Sequence, residues 1–489
     1  IMNSNNTKTN RSDIFAYRYQ QQRIAHWDFV AQKFAERRGL GAFYQKVLAY
    51  YYKLFVPPGL RVLEIGCGQG DLLSALKPSV GVGIDISGEM IKQSSKRYPD
   101  LRFIHADVHE LSLNEKFDII ILSDLVNDLW DVQVAFERLA ILSHSRTRLI
   151  LNTYSRLWEI PLSLTQRLGL SKPRLEQNWL TVEDITNLLK LAGFEVIKCT
   201  REILLPLYIP LVSKLANRIL VKLWPFSCAA LTNFIIARPL KLFEQTATAV
   251  KPLVSVIIPA RNEAGNIESI FERVPQMGRG TELVFIEGHS KDNTFRAIEQ
   301  AISKYPMYKC KLLKQEGKGK GDAVRLGLAN ASGEIFMILD ADLSVSPENL
   351  HRFYEALVSG TGEFINGVRL IYPMERRAMR FINLIGNKFF GLAFSWLLGQ
   401  FIKDSLCGTK AFWRRDYDLI AANRAYFGDF DPFGDFDLLF GAAKLNCKII
   451  DLPIRYRART YGATNIHRWQ HGWLLLKMLA FAARRIKFV

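Results

Sequence analysis

Short apolar runs alternate with amphipathic stretches along most of this chain, a pattern typical of α/β proteins. In the first half the runs are RVLEIG, VGVGIDIS, LRFIHAD, FDIIILSD and RLILNTYS. The segment TVEDITNLLKLAGFEVIKCT then predicts a capped helix, a stop at Gly193 and another strand, and LTNFIIARP predicts a last strand. Residues 61–240 therefore predict a doubly wound α/β domain.

The alternation restarts after a less patterned segment, LKLFEQTATAVKP. The runs LVSVIIPARNE, TELVFIEGHS, YKCKLLKQEG and EIFMILDADLS predict strands of a second α/β domain. We therefore predict a domain boundary near residues 240–250, with residues 241–252 as a linker. The predicted domains are 45–240 and 253–489, and residues 1–44 are predicted to form a polar extension with lead-in helices.

The composition adds expectations about the binding partners and the cellular compartment of the protein. A chain of 489 residues is long enough for two to four domains. Its 65 Lys and Arg residues against 47 Asp and Glu residues give a net charge of +18, which favours membrane lipid, phosphorylated substrates or nucleic acid. The six cysteines are scattered without a C-x-x-C pair, as in a reducing compartment. The polar N-terminus predicts no signal peptide, and no apolar run reaches the ~18–20 residues of a membrane-spanning helix.

A glycine-rich loop marks the first candidate site. In EIGCGQG, Gly66, Gly68 and Gly70 follow a predicted strand and precede a helix, so a ligand can approach the backbone closely. Such a loop also serves packing alone in many α/β proteins. Asp85 ends the next strand, where a carboxylate can accept both hydroxyls of a ribose. Asp107 ends the third strand, where it can accept the exocyclic amine of a base.

This half resembles the class I S-adenosylmethionine-dependent methyltransferases over residues 45–240, in the motifs EIGCGQG, GIDIS and HADVHEL. The resemblance implies a seven-strand Rossmann-like sheet and S-adenosylmethionine as cofactor. The cofactor-binding residues it implies are Glu64, Gly66, Gly68, Gly70, Asp85, Ile86, Asp107 and Val108.

The methyl acceptor is left open by the sequence. The candidate bases near the strand ends, which can equally be surface or packing residues, are His105, His109, Asp128 and Tyr154. The basic, apolar segment LLPLYIPLVSKLANRILVKLWPF either covers a lipid-like acceptor or is a helical cap on the sheet.

The second candidate site begins with two carboxylates at a strand end. In IFMILDADLS, Asp340 and Asp342 close a buried strand, and a polar strand end is the simpler explanation when such a pair stands alone. Here the preceding predicted strands also end in polar groups, namely Glu287 and the glycine–lysine segment QEGKGKGDAVR, which suits phosphates. We therefore predict that Asp340 and Asp342 bind Mg²⁺ or Mn²⁺, with a nucleotide diphosphate completing the shell.

This half resembles the family 2 glycosyltransferases of the GT-A fold, specifically the polyprenyl-phosphate sugar synthases. The matching motifs are P-x-x-N-E at Pro259–Glu263, GKG and DAD. The nucleotide-sugar-binding residues implied are Pro259, Ala260, Asn262, Glu263, Glu287, Lys318, Gly319, Asp340 and Ala341. The sequence departs from the family at Gly288, where an acid is usual, and at Ser344, where Gln is frequent.

The resemblance also implies the residues of the reacting centre. The motifs INGVRL, DSLCGTKAFWRR and FGDFDLLFGA imply roles in catalysis for Arg369, as a phosphate contact, and for Asp404, Asp435 and Asp437. Asp437 or Asp435 would serve as base for an alcohol acceptor, whereas an ionised lipid phosphate needs only arginines to orient it. Either route inverts the anomeric carbon if displacement is direct. The acids of DFDPFGDFD can also form a solvated loop. In RARTYGATNI, Thr464 and Asn465 replace the usual Ser and Lys.

Two apolar, basic segments near the C-terminus predict contact with a membrane surface. RRAMRFINLIGNKFFGLAFSWLLGQFIK and RWQHGWLLLKMLAFAARRIKFV carry aromatic and basic flanks that suit helices lying in the interface. Helices that pack on the sheet or form a dimer contact would show the same pattern. Basic residues do not follow an aromatic stacking surface or a recognition helix, so no nucleic acid partner is predicted.

The combined hypothesis is a bifunctional transferase at the cytoplasmic face of a membrane. It predicts metal-dependent, inverting glycosyl transfer from a UDP- or GDP-linked sugar to a polyprenyl-phosphate or membrane-linked glycan acceptor, together with methyl transfer. One alternative is a glycosyltransferase whose N-terminal domain is silent and only binds a nucleoside. The other is a non-catalytic, membrane-docked sensor of nucleotide sugars.

Overall fold

The computed structural model describes residues 11–33, 40–167, 175–240, 250–372, 381–424, 434, 436–457, 459, 461 and 468–489. The chain divides into two compact units, Ile1–Leu240 and Lys241–Val489, and each is described by itself. Most of the predicted linker, together with Asp435, Thr464 and Asn465, lies outside the described residues.

The N-terminal unit contains a seven-stranded sheet in the order β3-β2-β1-β4-β5-β7-β6. Its strands are β1 (Arg61–Ile65), β2 (Val80–Asp85), β3 (Arg102–His105), β4 (Phe117–Ser123), β5 (Ser143–Tyr154), β6 (Phe194–Glu202) and β7 (Thr232–Pro239). Strands β1 to β5 are paired in parallel, and β7 runs antiparallel to both β5 and β6. The carboxyl ends of β1 to β5 therefore share one edge, and this edge carries the first candidate site.

The helices of this unit are α1 (Arg11–Lys33), α2 (Leu40–Phe55), α3 (Asp71–Ala75), α4 (Gly88–Arg97), α5 (Val132–Ile141), α6 (Glu159–Arg167), α7 (Val182–Leu191) and α8 (Val212–Arg218). Local sequence explains where several of them begin. Ser87 caps α4 by accepting a hydrogen bond from the Met90 amide, and Thr181 with Asp184 forms a capping box on α7. Apolar clusters on both faces of the sheet bury the alternating Val, Ile and Leu residues of its central strands.

The C-terminal unit contains a second seven-stranded sheet, in the order β10-β9-β8-β11-β13-β12-β14. Its strands are β8 (Val254–Ala260), β9 (Thr281–Glu287), β10 (Lys309–Lys314), β11 (Ile335–Ile338), β12 (Phe364–Val368), β13 (Lys410–Trp413) and β14 (Ile449–Pro453). Strand β13 is antiparallel to its neighbours β11 and β12, whereas β12 pairs with β14 in parallel. The carboxyl ends of all strands except β13 consequently meet at one edge.

The helices of the C-terminal unit are α9 (Ile267–Arg273), α10 (Thr294–Lys304), α11 (Lys320–Asn330), α12 (Leu350–Val358), α13 (Phe381–Leu398), α14 (Arg414–Ala422), α15 (Phe436–Lys444) and α16 (Arg468–Ala482), and a π-helical turn follows at Ala483–Lys487. The two predicted membrane segments correspond to α13 and α16, which pack on each other. Phe390 and Phe394 of α13 and Leu475 and Met478 of α16 are buried in one core cluster. Among the described helices, none combines the length and apolar character needed to span a bilayer.

Candidate functional site

The glycine-rich loop of the N-terminal unit joins β1 to α3 in a conformation that favours glycine. Gly66, Gly68 and Gly70 have φ angles of 70°, 51° and 77°, in the left-handed region. The Gly66 and Cys67 amides donate to the Ile84 carbonyl over 2.8 and 3.0 Å, which ties the loop to β2. The loop therefore holds three residues without side chains at the carboxyl end of the sheet, where a ligand can approach the backbone closely.

Asp85, the last residue of β2, lies directly beside this loop. Its Oδ2 accepts a hydrogen bond from the Gly68 amide at 2.8 Å, and its Oδ1 accepts one from the Ser87 amide at 2.9 Å. Burial raises the pKa of Asp85 in spite of these two bonds. Each carboxylate oxygen has a second lone pair, so the side chain can still accept hydroxyl donors. Glu64 is buried in β1, and Ile86 follows Asp85 directly.

Asp107 lies at the end of the neighbouring strand β3 and already accepts hydrogen bonds on both oxygens. His109 Nδ1 lies 2.5 Å from Oδ1, and the Gln20 amide donates to Oδ2 at 2.8 Å. Burial alone would raise the pKa of Asp107, but the bonds from His109 hold it below its usual range. Burial would likewise lower the pKa of His109, and Asp107 raises it instead. Val108 is buried in the short 3₁₀ turn that follows.

Helix α1, which the sequence predicted only as part of a lead-in region, reaches three of these strand ends. Gln20 bonds to Asp107, the Tyr19 hydroxyl donates to the Asp128 carbonyl at 3.2 Å, and Asp28 accepts from the Ser87 hydroxyl at 2.5 Å. The first helix of the unit is therefore part of the candidate cofactor site.

A polar cluster at the end of β4 was missed by the sequence analysis. Asp124 has a φ of 54°, and its Oδ1 accepts hydrogen bonds from the Tyr44 hydroxyl at 2.9 Å and the Asn152 amide at 2.5 Å. The Tyr52 hydroxyl donates to Asn152 Oδ1 at 2.7 Å. The available signal was that Asp124 ends FDIIILSD as Asp85 and Asp107 end their strands.

The predicted candidate bases of this unit are mostly engaged elsewhere. His105 Nε2 lies 2.9 Å from the Ile86 carbonyl, His109 pairs with Asp107, and Asp128 accepts from Gln177 at 3.1 Å. The Tyr154 ring lies 6.0 Å from that of Tyr44, so this predicted base borders the Asp124 cluster.

In the C-terminal unit, the segment after β8 is folded back by its own hydrogen bonds. Asn262 has a φ of 58°, its amide donates to the Ser290 hydroxyl at 3.0 Å, and its Oδ1 accepts from the Lys291 amide at 2.7 Å. The Glu263 amide donates to the Thr294 hydroxyl at 2.9 Å. The loops after β8 and β9 are thus joined, with Pro259 and Ala260 ending the first strand.

The loops after β9 and β10 complete this part of the edge. Glu287 ends β9, and its Oε1 accepts a hydrogen bond from the Ser290 amide at 2.5 Å. The Gln315 amide donates to the Gly319 carbonyl at 2.8 Å, which holds the glycine–lysine loop before α11. Lys318 and Gly319 are exposed there, at a helix N-terminus where phosphate is favoured.

Asp340 and Asp342, which follow β11, each pair with a basic side chain. Lys320 Nζ lies 2.5 Å from Asp340 Oδ1, and Arg459 Nη2 lies 2.7 Å from Asp342 Oδ2. Burial would raise the pKa of Asp340, but the Lys320 ammonium outweighs it and holds that pKa below its usual range. Ser344 donates its hydroxyl to Asp342 Oδ1 at 2.7 Å and so orients this carboxylate.

These residues fit a divalent cation whose shell is completed from outside the protein. Both carboxylates are hard oxygen donors, and both attract a positive charge in this structure. A Cβ on Gly408 would overlap both Lys320 Nζ and Asp340 Oδ2, so glycine makes room for this ion pair. Over the described stretches of the chain, no group of three or more His, Cys, Asp or Glu side chains is placed to hold a metal ion. The protein would therefore supply Asp340 and Asp342 as its ligands.

Arg369 and Asp404 form a buried pair. Arg369 Nε and Nη2 donate to the two Asp404 oxygens at 2.8 and 2.9 Å, and its amide donates to Oδ2 at 3.1 Å. The Asp404 side chain is fully buried. Burial would raise its pKa, but the Arg369 guanidinium keeps it below its usual range. In this structure Arg369 therefore contacts a carboxylate with the donors that the resemblance assigns to a phosphate.

Asp437, on α15, lies close to two arginines. Arg325 Nη1 is 3.4 Å and Arg424 Nε is 3.8 Å from Asp437 Oδ2. The structure thus places the predicted base in an ion-pair cluster. Its predicted neighbour Asp435 lies outside the described residues.

In the comparisons with known proteins, each of the two units matches a different family model. Residues 30–199 match the family model described as "Methyltransferase domain", and residues 255–420 match "Glycosyl transferase family 2". The chain joins a methyltransferase domain to a family 2 glycosyltransferase domain. The resemblances and the α/β fold class predicted from the sequence are confirmed. We refer to the two parts as the methyltransferase unit and the glycosyltransferase unit.

Two curated relatives match the glycosyltransferase unit. The dolichol-phosphate mannosyltransferase of Pyrococcus furiosus is 37% identical over 110 residues, which cover 22% of this chain and 31% of the relative. Glycosyltransferase AglJ of Haloferax volcanii is 27% identical over 226 residues, 45% of this chain and 69% of the relative. The chain thus spans less than a third of the length of the first.

Solved structures of methyltransferases are among those to which this chain is similar. Magnesium protoporphyrin IX methyltransferase (ChlM) from Synechocystis PCC 6803, crystallised with bound SAH, is 17% identical to this chain. The match covers 47% of this chain and all of that chain, with a TM-score of 0.32.

The glycosyltransferase unit carries a pH-sensitive group beside Asp342. Burial raises the pKa of Glu263 to about 7, against an ordinary value of 4.5, and the neighbouring Asp342 adds to the rise. The folded chain therefore keeps a proton that the unfolded chain loses, so stability falls as the pH rises from about 4.5 to about 7. Glu263→Gln mimics the protonated acid. Its free energy of unfolding should equal that of the parent near pH 4.5 and exceed it by about 1–3 kcal/mol at pH 8.

Urea unfolding in metal-free buffer at both pH values measures this difference. Glu299→Gln is the matched control, since Glu299 is exposed in the same unit. Equal stabilities of Glu263→Gln and the parent at both pH values would contradict the prediction.

Proposed function

We propose that the chain is a bifunctional transferase. Its glycosyltransferase unit transfers a sugar, with inversion, from a UDP- or GDP-linked donor to a polyprenyl phosphate or another membrane-linked acceptor. This transfer depends on Mg²⁺ or Mn²⁺. Its methyltransferase unit transfers a methyl group from S-adenosylmethionine to an acceptor at the end of the first sheet.

The observation that carries the glycosyl-transfer proposal is the arrangement of charge around Asp340 and Asp342. Lys320 pairs with Asp340 and Arg459 pairs with Asp342, each within hydrogen-bond distance, at the carboxyl edge of the sheet. A divalent cation on the carboxylates would neutralise the departing nucleoside diphosphate. The two basic side chains then remain available to bind phosphate oxygens.

The acceptor follows from chemistry and from the relatives. Curated relatives are named for dolichol phosphate and dolichyl phosphate acceptors. A phosphate acceptor is ionised near neutral pH and needs orientation more than a base. Asp437 is already close to Arg325 and Arg424, an arrangement that favours binding of an anion over removal of a proton. We therefore assign this cluster to acceptor orientation.

Contact with a membrane surface would bring such an acceptor to the enzyme. Trp473 and Phe401 of the glycosyltransferase unit are 62% and 65% exposed, and Arg484, Arg485 and Lys487 follow in the last turn. Exposed aromatic rings next to basic side chains suit the interface of an anionic bilayer. We propose a peripheral contact at the cytoplasmic face through this region.

The first test is calorimetric titration of the full chain. UDP and GDP, with and without Mn²⁺, and S-adenosylhomocysteine are the ligands. Binding of one nucleotide that requires Mn²⁺, together with independent binding of S-adenosylhomocysteine, would support both halves of the proposal. Nucleotide binding without any S-adenosylhomocysteine binding would reject the methyl-transfer half.

Asp85→Asn tests the cofactor site at one residue. Loss of the charged acceptor should weaken S-adenosylhomocysteine binding by about ten- to a hundredfold, since hydrogen bonds to charged groups contribute roughly 1.5–3 kcal/mol. Nucleotide binding by the other unit should not change. Asp100→Asn, at an exposed turn of the same unit, is the control. An unchanged affinity in a variant that melts like the parent would show that Asp85 does not contact the cofactor.

A further inference from the structure

The methyltransferase unit presents an extended apolar surface to solvent. We define the apolar surface as the exposed side chains of residues 204–229 and of α6 with the turn before it. Its most exposed members are Leu211 (85%), Trp224 (82%) and Ile160 (80%), and Leu157, Leu164, Tyr208, Val212, Leu215 and Phe226 also belong to it. Patches of this kind on a folded domain indicate a surface that binds a partner.

The segment that carries this surface is held in place from its inner side. Asn217 is buried, and its Oδ1 accepts hydrogen bonds from the Leu204 and Leu205 amides, both at 2.8 Å. Ser213 is also buried, and its hydroxyl accepts from the Ile209 amide and donates to the Leu207 carbonyl, both at 2.6 Å. These two polar side chains therefore point inward and bond to the segment's own backbone, which holds its exposed apolar side chains in place.

The charges of the segment have one sign. No acidic residue occurs between Ile203 and Leu231, and Lys214 and Arg218 are exposed among the apolar side chains. The remaining basic residue, Lys222, is buried and paired with Glu202. An apolar face with exposed basic residues complements the surface of a bilayer that contains anionic lipid.

The apolar surface is continuous with the end of the sheet where methyl transfer is proposed. The Tyr208 ring lies 5.5 Å from that of Phe43, whose neighbour Tyr44 donates to Asp124. On the α6 side, the Trp158 indole donates to the Ala229 carbonyl at 2.9 Å. A molecule held at this surface is therefore close to the polar cluster around Asp124.

We infer that the apolar surface docks the methyltransferase unit on an anionic lipid bilayer. The surface is formed by the methyltransferase unit alone and gives that unit its own membrane contact. The last step of the inference rests on the proposed methyl transfer. The acceptor of that methyl group is then an amphiphilic molecule at the surface of the bilayer.

Sedimentation of the full chain with vesicles tests the docking. The vesicles are phosphatidylcholine with and without phosphatidylglycerol, and the background variant Phe401→Glu/Trp473→Glu removes the two most exposed aromatic side chains described in the glycosyltransferase unit. In this background, Leu211→Glu/Trp224→Glu should lower partitioning onto anionic vesicles by at least about tenfold, since it replaces two inserted apolar side chains with anions. Ile141→Glu/Leu191→Glu, at positions 61% and 59% exposed elsewhere on the same unit, should bind like the background.

Unchanged partitioning of Leu211→Glu/Trp224→Glu would overturn the inference. A fall in molar mass by light scattering, with partitioning unchanged, would overturn it too and identify a contact between copies of the chain. S-adenosylhomocysteine titration of each variant reports folding of the unit and tests the proposed cofactor site separately from docking. If the glutamate variant loses that binding, Leu211→Gln/Trp224→Gln provides the same comparison without added charge.

Discussion

Replacing Asp340 or Asp342 by Asn is expected to reduce glycosyl transfer by at least about a hundredfold and to abolish its dependence on Mn²⁺. An amide keeps the shape of the side chain but cannot balance the charge of a divalent ion. Stabilisation of a developing negative charge commonly contributes several kcal/mol to catalysis, which corresponds to two or three orders of magnitude in rate. The release of UDP or GDP from the donor identified by titration measures the rate.

The design of this test separates catalysis from folding. Asp418→Asn, in an exposed ion pair with Arg414 on α14, controls for the loss of one carboxylate in the same unit and should retain full activity. S-adenosylhomocysteine binding should be unaffected in all three variants. Full Mn²⁺-dependent turnover by both Asp340→Asn and Asp342→Asn would reject the metal site.

Replacing Arg369 by Ala is expected to destabilise the glycosyltransferase unit by about 3–5 kcal/mol. The substitution leaves the fully buried Asp404 carboxylate without its bidentate partner, and an uncompensated buried charge costs this much free energy. Removing both charges, as in Arg369→Met/Asp404→Leu, should recover most of the loss because the lone charge disappears. Urea unfolding near pH 7 measures these differences.

A second bidentate pair provides the matched comparison. Arg273 bonds to both oxygens of Glu348 at 2.8 and 3.0 Å, but the Glu348 side chain is 56% exposed. Arg273→Ala should cost no more than about 1 kcal/mol because water replaces the lost partner. A similar cost for Arg369→Ala and Arg273→Ala would show that burial does not govern the effect.

The sequence was sufficient to predict all seven strands of the methyltransferase unit but only four of the seven strands of the other sheet. The seven strands of the first unit are apolar runs bounded by turns, and all seven form. In the glycosyltransferase unit β8 to β11 were predicted from the same pattern. Strands β12 to β14 were not, because FINGV and IIDLP are interrupted by polar or proline residues and KAFW is very short. Their pairing depends on neighbours distant in sequence, which local pattern does not record.

For the candidate sites, the sequence predicted the strand-end residues but not the residues that pair with them. Strand-end location was enough to find Asp85, Asp107, Asp340 and Asp342, since parallel strands bring such residues to one edge. The partners that engage them, such as Arg459 and Lys320, come from other segments of the chain, and the pairing itself leaves no local signal. The same holds for Asp404, whose motif suggested a reacting centre and whose side chain is fully buried against Arg369. The functional roles of these residues stay predictions until the variants are measured.

The bond between Gln20 and Asp107 has a consequence for cofactor exchange. The Gln20 side chain offers Asp107 Oδ2 an NH₂ donor, the same kind of group that an adenine ring carries. Where Asp107 accepts the amine of the base, as the resemblance implies, that amine must share Oδ2 with Gln20 or displace it, and the cofactor affinity would then include the free energy of this exchange. Gln20→Asn, which shortens this side chain by one carbon, should then strengthen S-adenosylhomocysteine binding in a calorimetric titration while Asp107 itself is unchanged.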